Sequence, residues 1–508
     1  MAETVKITAP SLGGVTIEGI QNSPETVQFR GLRYALIEKR YDYPKRIDSY
    51  ETDIDATKYG AIPPQPFRIP SPIIPKDQLQ TEFPEQDEFA CLNLNITRPV
   101  SVSSTSKPVP VMVWIFPGAN TFGSAADKSY DPTALVARSA SKELPIIFVN
   151  LNYRLSLLGY VYVNGRANHS MYDQTEALIW VKNHISDFGG DPSNITLVGE
   201  SAGSLGTHYH SLNPKSEGLF RRIGLMSTVI ESRTPFPLDD AKALAAKAKS
   251  LCGVETDAEF AEVSVEKLMD AVPIIGGMYG PVDDGGWLGD LSASSVPYID
   301  RSPLAQVEAV MLGNTRFESI FYAPKIGLIP TAMRHQRLTE VPLIGVDLAE
   351  RYNITAEPDH DSENLMNLVQ MYDDISYGQP VDQTVTRLRG AGVKTYHYLF
   401  DEPNPYDPSF DAHHGVDVLY FFNSFKFDKK YDDFIDKYQT GWIRYAYGLP
   451  PWDFLGENTE NVVMVDQDLH VRQDGEYELR RRTEAFAKLN EHRHKYDAYN
   501  ITKRFLYV

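Results

Sequence analysis

Short apolar runs bounded by turn residues recur along the chain. Val111-Met112-Val113-Trp114-Ile115-Phe116, Ile195-Thr196-Leu197-Val198, Ala309-Val310-Met311-Leu312 and Lys394-Thr395-Tyr396-His397-Tyr398-Leu399-Phe400 are of this kind. A strand buried on both faces of a parallel sheet reads in this way, as a short β-branched or aromatic run rather than as alternating apolar and polar positions. Helix-compatible segments lie between them. Ser201 to Leu212 directly follows the second run, and Asp239 to Leu251 is stopped by Gly253, a residue suited to the left-handed turn that ends helices.

The junction at Gly199-Glu200-Ser201-Ala202-Gly203 carries the chemistry. Phe188-Gly189-Gly190-Asp191-Pro192 supplies a turn, the run to Val198 a strand, and the residues from Ser201 a helix, so a serine stands at the apex of a sharp strand-to-helix turn. The G-x-S-x-G string alone is weak, since chance gives it in roughly one chain in five of this length. Its setting is what gives it weight. A serine hydroxyl attacks only when a base can take its proton, which requires an exposed hydroxyl on a tight turn. An orienting acid, a histidine and oxyanion donors must then follow on loops after other strands. Gly313-Asn314-Thr315-Arg316-Phe317-Glu318 follows one apolar run, and His413-His414-Gly415 lies downstream of another on a loop rich in Pro and Asp.

Several further segments, taken in order, resemble the type-B carboxylesterase and cholinesterase family of serine esterases. Phe29-Arg30-Gly31-Leu32-Arg33-Tyr34-Ala35 is similar to that family's F-x-G-I-P-Y-A, and Cys91-Leu92-Asn93-Leu94-Asn95-Ile96 to its C-L-x-L-N-I. Asn152-Tyr153-Arg154, Asp173-Gln174, Ala177-Leu178 and Trp180-Val181 lead to the serine turn, and Pro281-Val282-Asp283-Asp284-Gly285, Glu318 with Phe321, His414-Gly415-Val416-Asp417 and Pro451-Trp452 follow it. The resemblance implies an α/β-hydrolase fold: a central, mostly parallel twisted sheet flanked by helices, a small N-terminal antiparallel sheet and helical cap insertions. No linker, repeat or low-complexity tract divides the chain, so residues 1–508 read as a single elaborated domain with cap insertions at roughly 232–310 and 325–390.

Carried over residue by residue, the resemblance makes Ser201 the nucleophile, Glu318 the orienting acid and His414 the general base. His413 is chemically identical to its neighbour, but the family motif puts the base directly before the glycine; His413 then reads as a surface imidazole. Ser227 matches a serine that could hydrogen-bond the acid, and would look the same as a satisfied core hydroxyl. The oxyanion donors implied are the amides of Gly118, Ala119 and Ala202. The loop departs from the family's H-G-G-G-F, reading Phe116-Pro117-Gly118-Ala119-Asn120. Pro117 has no N–H, but it falls where the family aims none at the oxyanion. Ala119 disfavours positive φ, so a reshaped hole is expected.

Composition narrows the partners. A formal charge of −19 repels nucleic acid and anionic membrane, and no eighteen-residue apolar run is present. Met1-Ala2-Glu3-Thr4-Val5-Lys6 has no secretory character, which reads as cytoplasmic. Cys91 and Cys252 each lack the partner that secreted relatives supply, so both are expected to be free thiols. No cofactor or metal is expected. On a helix the imidazoles of His208-Tyr209-His210 are two apart and face different ways.

The expected substrate is a small to medium apolar ester. Cholinesterases hold choline on a tryptophan that Thr81-Glu82-Phe83-Pro84-Glu85-Gln86 lacks, which argues against choline esters. They also narrow the acyl pocket with aromatics where this chain has Ile275-Gly276-Gly277-Met278-Tyr279-Gly280, so acyl groups larger than acetyl are expected to fit. Phe122, Trp287, Tyr420 and Phe421 are candidates for lining an apolar gorge, with Glu200 facing it and Gly276 and Gly277 opening the acyl side. The same triad would also serve an acyltransferase or a cyclising or lactone-processing enzyme. Adhesion members of the family, which lack the nucleophile, make a non-catalytic interaction protein the third alternative.

Overall fold

The computed structural model describes residues 3–66, 73–276, 279–289, 303–304, 306–456, 459–473 and 475–485, together with residues 489, 501, 504 and 505. Among these, one 13-stranded sheet organises the chain. Thr4–Ala9, Val15–Gln21, Thr26–Arg33 and Asn93–Pro99 form its antiparallel N-terminal edge. Ile147–Leu151, Val109–Ile115, Gly190–Glu200, Arg222–Met226, Ala309–Thr315, Lys394–Phe400 and Asn461–Val465 then run parallel, and Asp468–Val471 closes the other edge antiparallel. Ala35–Leu36 and Lys45–Arg46 pair separately as the small antiparallel sheet. This is the α/β-hydrolase arrangement expected from the sequence.

The apolar runs became the middle of this sheet because their residues are buried on both faces. Val109–Ile115 and Ala309–Thr315 are buried at every position. The run at 195–198 extends to Gly190–Glu200, and the helix after it is Ala202–Leu212. Helices Thr133–Ser141, His169–His184, Val416–Phe422 and Asp432–Ala446 contribute Leu135, Trp180, Phe422 and Trp442 to the same core as the strands.

The segments 232–310 and 325–390, expected from the sequence to be cap insertions, are largely helical among the described residues. The first holds Leu238–Leu251, Asp257–Ala261 and Val265–Ile275, packed around Phe260 and Leu268. The second holds Thr331–Thr339, Gly345–Arg351 and Asp361–Asp373, with their own cluster around Leu348 and Val369, and Gln379–Gly390, whose Val381, Val385 and Leu388 join the main core. Both Cys91 and Cys252 are free and buried. Among the described residues no helix is long and apolar enough to cross a membrane.

A buried ion pair ties the motif segments together. Arg154 donates to Asp173 through Nε at 2.8 Å and Nη2 at 2.7 Å, and the Arg154 amide donates to the same carboxylate. Leaving either partner alone in such a setting costs about 3 to 5 kcal/mol. Next to it, the ring of Tyr153 stacks on Phe116 and its hydroxyl donates to the Phe116 carbonyl at 2.8 Å. The Asn-Tyr-Arg motif therefore anchors the strand end from which the loop at 117–123 departs.

Candidate active site

Ser201 sits between strand and helix with φ 53° and ψ −122°. That backbone is strained for any residue with a Cβ, by about 1 to 3 kcal/mol, and survives only where neighbours dictate it. Here they do. The Ser201 amide donates to the Met226 carbonyl of the adjacent strand at 3.0 Å, and the flanking glycines let the turn close. A Cβ on Gly199 would lie 2.3 Å from the Gly203 carbonyl, and one on Gly203 would lie 2.0 Å from the Ile115 carbonyl oxygen. The G-x-S-x-G spacing is thus a packing requirement, which pushes the serine hydroxyl out of the sheet.

Two loops from later strands meet it. Ser201 Oγ lies 2.8 Å from His414 Nε2, and His414 Nδ1 lies 2.6 Å from Glu318 Oε2. The other oxygen, Glu318 Oε1, accepts the Thr315 amide at 2.7 Å. The Phe317 amide donates to Ala412, locking the loop of the acid against that of the histidine. Because the carboxylate accepts Nδ1–H, Nε2 is left with its lone pair toward Ser201, the tautomer a proton acceptor needs.

The electrostatics follow from burial. Glu318 is fully buried, which favours its neutral form, yet its pKa is lowered because the hydrogen bond from His414 and the amide of Thr315 outweigh that penalty. Ser227 also favours its ionised form, although the Ser227 hydroxyl makes no hydrogen bond of ordinary geometry. Burial opposes the charged form of His414, but Glu200 and then Glu318 raise its pKa above the ordinary value. Glu200 Oε1 is 3.2 Å from His414 Nε2. Burial pushes Glu200 up to about 8, against the pull of His414, and Asp417 and Glu318 add to the rise. Glu200 and His414 therefore titrate together: an ionised Glu200 favours the imidazolium, with Glu318 as the second counter-charge. Asp417, buried beside Tyr398, is likewise raised to about 7.

The loop at 117–123 takes the shape its sequence made doubtful. Gly118 adopts φ 111°, and a Cβ there would lie 2.0 Å from the Phe122 carbonyl oxygen. Ala119 and Asn120 follow at φ 55° and 57°, so the alanine does accept a left-handed backbone, at a cost of about 1 to 2 kcal/mol. The Gly118 carbonyl receives the amides of Thr121 and Phe122, closing the turn. Among the described residues no acceptor takes the amides of Gly118 or Ala119. Ala202 occupies the first position of its helix, where an amide has no partner inside the helix.

Other expected positions divide. Glu200 and Phe122 adjoin the site, Phe122 half-buried behind Gly118. Gly276 ends the helix Val265–Ile275 at φ 56° and is exposed, whereas Gly277 lies outside the described residues. Three aromatics are core, contrary to the gorge expectation. Trp287 donates its indole N–H to Thr175 Oγ1 at 3.0 Å and lies edge-on to His210. Tyr420 is enclosed by Phe400, Phe427, Tyr431 and Phe434, and Phe421 by Trp114, Phe422 and Trp442. Being 0 to 1% accessible, they present nothing to a solvent-filled space. His413 is corrected too. It is buried, its Nδ1–H donating to the His414 carbonyl at 2.8 Å while Nε2 accepts Asn404 Nδ2–H at 2.9 Å. Burial lowers it to about 4, so it stays neutral and holds the backbone of His414. His208 accepts the Ile230 amide, and His210 bonds Ser216 and Gln174. Among the described residues no cluster could hold a metal ion. Tyr377, from the wide helical turn Asp374–Gly378, was not anticipated; its ring lies 5.2 Å from the His414 imidazole.

This fold and site define an ester hydrolase of the α/β-hydrolase class, and a sequence profile of the carboxylesterase family matches residues 2–448. The chain belongs to that family. It is 32% identical over 460 residues to lipase 3 of Yarrowia lipolytica, covering 87% of this chain and 89% of that one. To the para-nitrobenzyl esterase of Bacillus subtilis it is 26% identical over 495 residues, 90% of this chain and 94% of that one. Among solved structures, the carboxylesterase EST55 of Geobacillus stearothermophilus shares the fold with a TM-score of 0.75 at 24% identity, covering 94% of this chain and 99% of that one.

Proposed function

We propose that the protein is a serine carboxylic-ester hydrolase that works through an acyl-enzyme on small to medium apolar esters with acyl groups larger than acetyl. The observation that carries this is the continuous chain from Ser201 Oγ through His414 to Glu318, at 2.8 and 2.6 Å. In this mechanism Ser201 Oγ attacks the ester carbonyl carbon while His414 Nε2 takes its proton. Glu318 stabilises the imidazolium so formed. The carbonyl electrons move onto oxygen, within reach of the amides of Gly118, Ala119 and Ala202; removing one such donor typically costs about 2.7 to 4 kcal/mol. Collapse breaks the bond to the alcohol, which leaves with the proton from His414. Water then attacks the acyl group, giving its proton to His414, and Ser201 departs protonated.

Strain and burial support the assignment of roles. The backbone strain at Ser201 exposes the hydroxyl, and the buried Glu318 fixes one histidine tautomer before substrate arrives. The size preference rests on the glycine-rich segment at 276–280, and the absence of a tryptophan at 81–86 argues against choline esters. A series of p-nitrophenyl esters tests both. kcat/KM is expected to rise from acetyl to butyryl and hexanoyl; a steady fall from acetyl onward would overturn the size assignment.

A further inference from the structure

Asn120 follows the second proposed oxyanion donor and makes three hydrogen bonds to two separate parts of the chain, the short helix Ser156–Gly159 with its capping Tyr160, and Tyr279. Its side-chain Nδ2 donates to the Tyr279 carbonyl at 2.8 Å, its Oδ1 accepts the Tyr160 hydroxyl at 3.2 Å, and its own carbonyl accepts the Ser156 amide at 2.7 Å. The residue is 3% exposed and stands at φ 57°. An ionised aspartate has no donor for Tyr279, and an apolar residue would leave the Tyr279 carbonyl without this donor and the Tyr160 hydroxyl without this acceptor in a dry interior.

The loop needs such a tie. Gly118 and Ala119 occupy left-handed backbone, glycine has no Cβ to restrict its rotation, and the Ala119 conformation is unfavourable by itself. Rotation about these dihedrals would swing the amides of both residues. On the upstream side the Tyr153 hydroxyl holds the Phe116 carbonyl at 2.8 Å. Farther along, Gln65 grips Gly123 twice, accepting its amide at 2.9 Å and donating to its carbonyl at 3.1 Å. Asn120 stands between these anchors, directly after the donors. Through Tyr279 it also joins them to the segment at 279–281.

We propose that Asn120 is a positioning residue that holds the Gly118 and Ala119 amides in oxyanion-binding geometry and couples them to the acyl-side segment, so that the acyl group's fit is felt at the oxyanion hole. This deepens the esterase assignment and rests on it. Displacement of catalytic groups by about 1 Å can cost on the order of 100-fold in rate, so Asn120→Asp is expected to lower kcat by about 100-fold with KM changed by less than about threefold. A trifluoromethyl ketone, whose hemiketal oxygen occupies the oxyanion hole, is expected to lose affinity in parallel. Acyl-length selectivity should flatten in the same variant.

A purely structural role would lower the melting temperature and leave ketone affinity intact below the transition. Tyr160→Phe, which removes the hydrogen bond to Asn120 and a longer one to Met171 Sδ with little change in volume, should show the same parallel losses at roughly three- to tenfold, and it decides the matter if Asn120→Asp does not fold. A folded variant of either kind with wild-type kcat and wild-type ketone affinity would overturn the proposal. Stoichiometric acylation of wild-type Ser201 checks the hydrolase assignment separately.

Discussion

Replacing Glu318 by Gln perturbs the site with almost no change in volume, and the structure fixes what must follow. Glu318 receives two N–H groups, His414 Nδ1–H at 2.6 Å on one oxygen and the Thr315 amide at 2.7 Å on the other. A glutamine has one oxygen to offer. If that oxygen faces His414, its NH2 meets the Thr315 amide, donor against donor, in a site 1% exposed, and a buried unsatisfied group costs about 1 to 3 kcal/mol. If it faces Thr315, the NH2 donates to Nδ1, and the proton moves to Nε2, where it blocks acceptance of the Ser201 proton. Either way the negative charge opposing the imidazolium is gone. In serine proteases the comparable loss of tautomer control lowers kcat about 10⁴-fold, or about 5 kcal/mol at 1.36 kcal/mol per decade. Steady-state kcat for p-nitrophenyl butyrate, with circular dichroism to verify folding, measures it. A folded Glu318→Gln enzyme within tenfold of wild type would refute the role given to the carboxylate.

Two further outcomes are expected. Glu200→Gln removes a carboxylate 3.2 Å from His414 Nε2 that favours the imidazolium, so the pKa of the base falls; since the neutral imidazole is the active form, the acid limb of the kcat/KM profile moves to lower pH. An unchanged or upward-moving limb would contradict the coupling. Gly203→Ala places a Cβ 2.0 Å from the Ile115 carbonyl and should destabilise the protein by about 1 to 3 kcal/mol, read as a lower denaturation midpoint; an unchanged midpoint would contradict the close-packing account.

The elbow was legible because its determinants are local: a buried strand, two glycines and a helix, all between Gly190 and Leu212. The sheet was legible because both faces are covered, leaving unbroken apolar runs such as 109–115. Aromatic identity was a poor guide to the gorge, since Tyr420 and Phe421 fill the core shared by sheet and helices, Trp287 fills a separate cluster built from helices and loops, and nothing in their own neighbourhoods says which face they take. His413 misled for a related reason, because its burial depends on Asn404 from across the loop. Tyr377 escaped notice because a one-residue widening of a helix leaves no periodic signature. The role proposed for Asn120 depends on the amide of 156, the hydroxyl of 160 and the carbonyl of 279, a constellation that exists only after folding.

The covalent step lies at the centre. Folded protein treated with a fluorophosphonate and digested for peptide mass mapping should carry one adduct per chain, on Ser201, and His414→Ala should abolish it. An adduct elsewhere, or full ester hydrolysis by a protein whose Ser201 stays unmodified, would contradict the account.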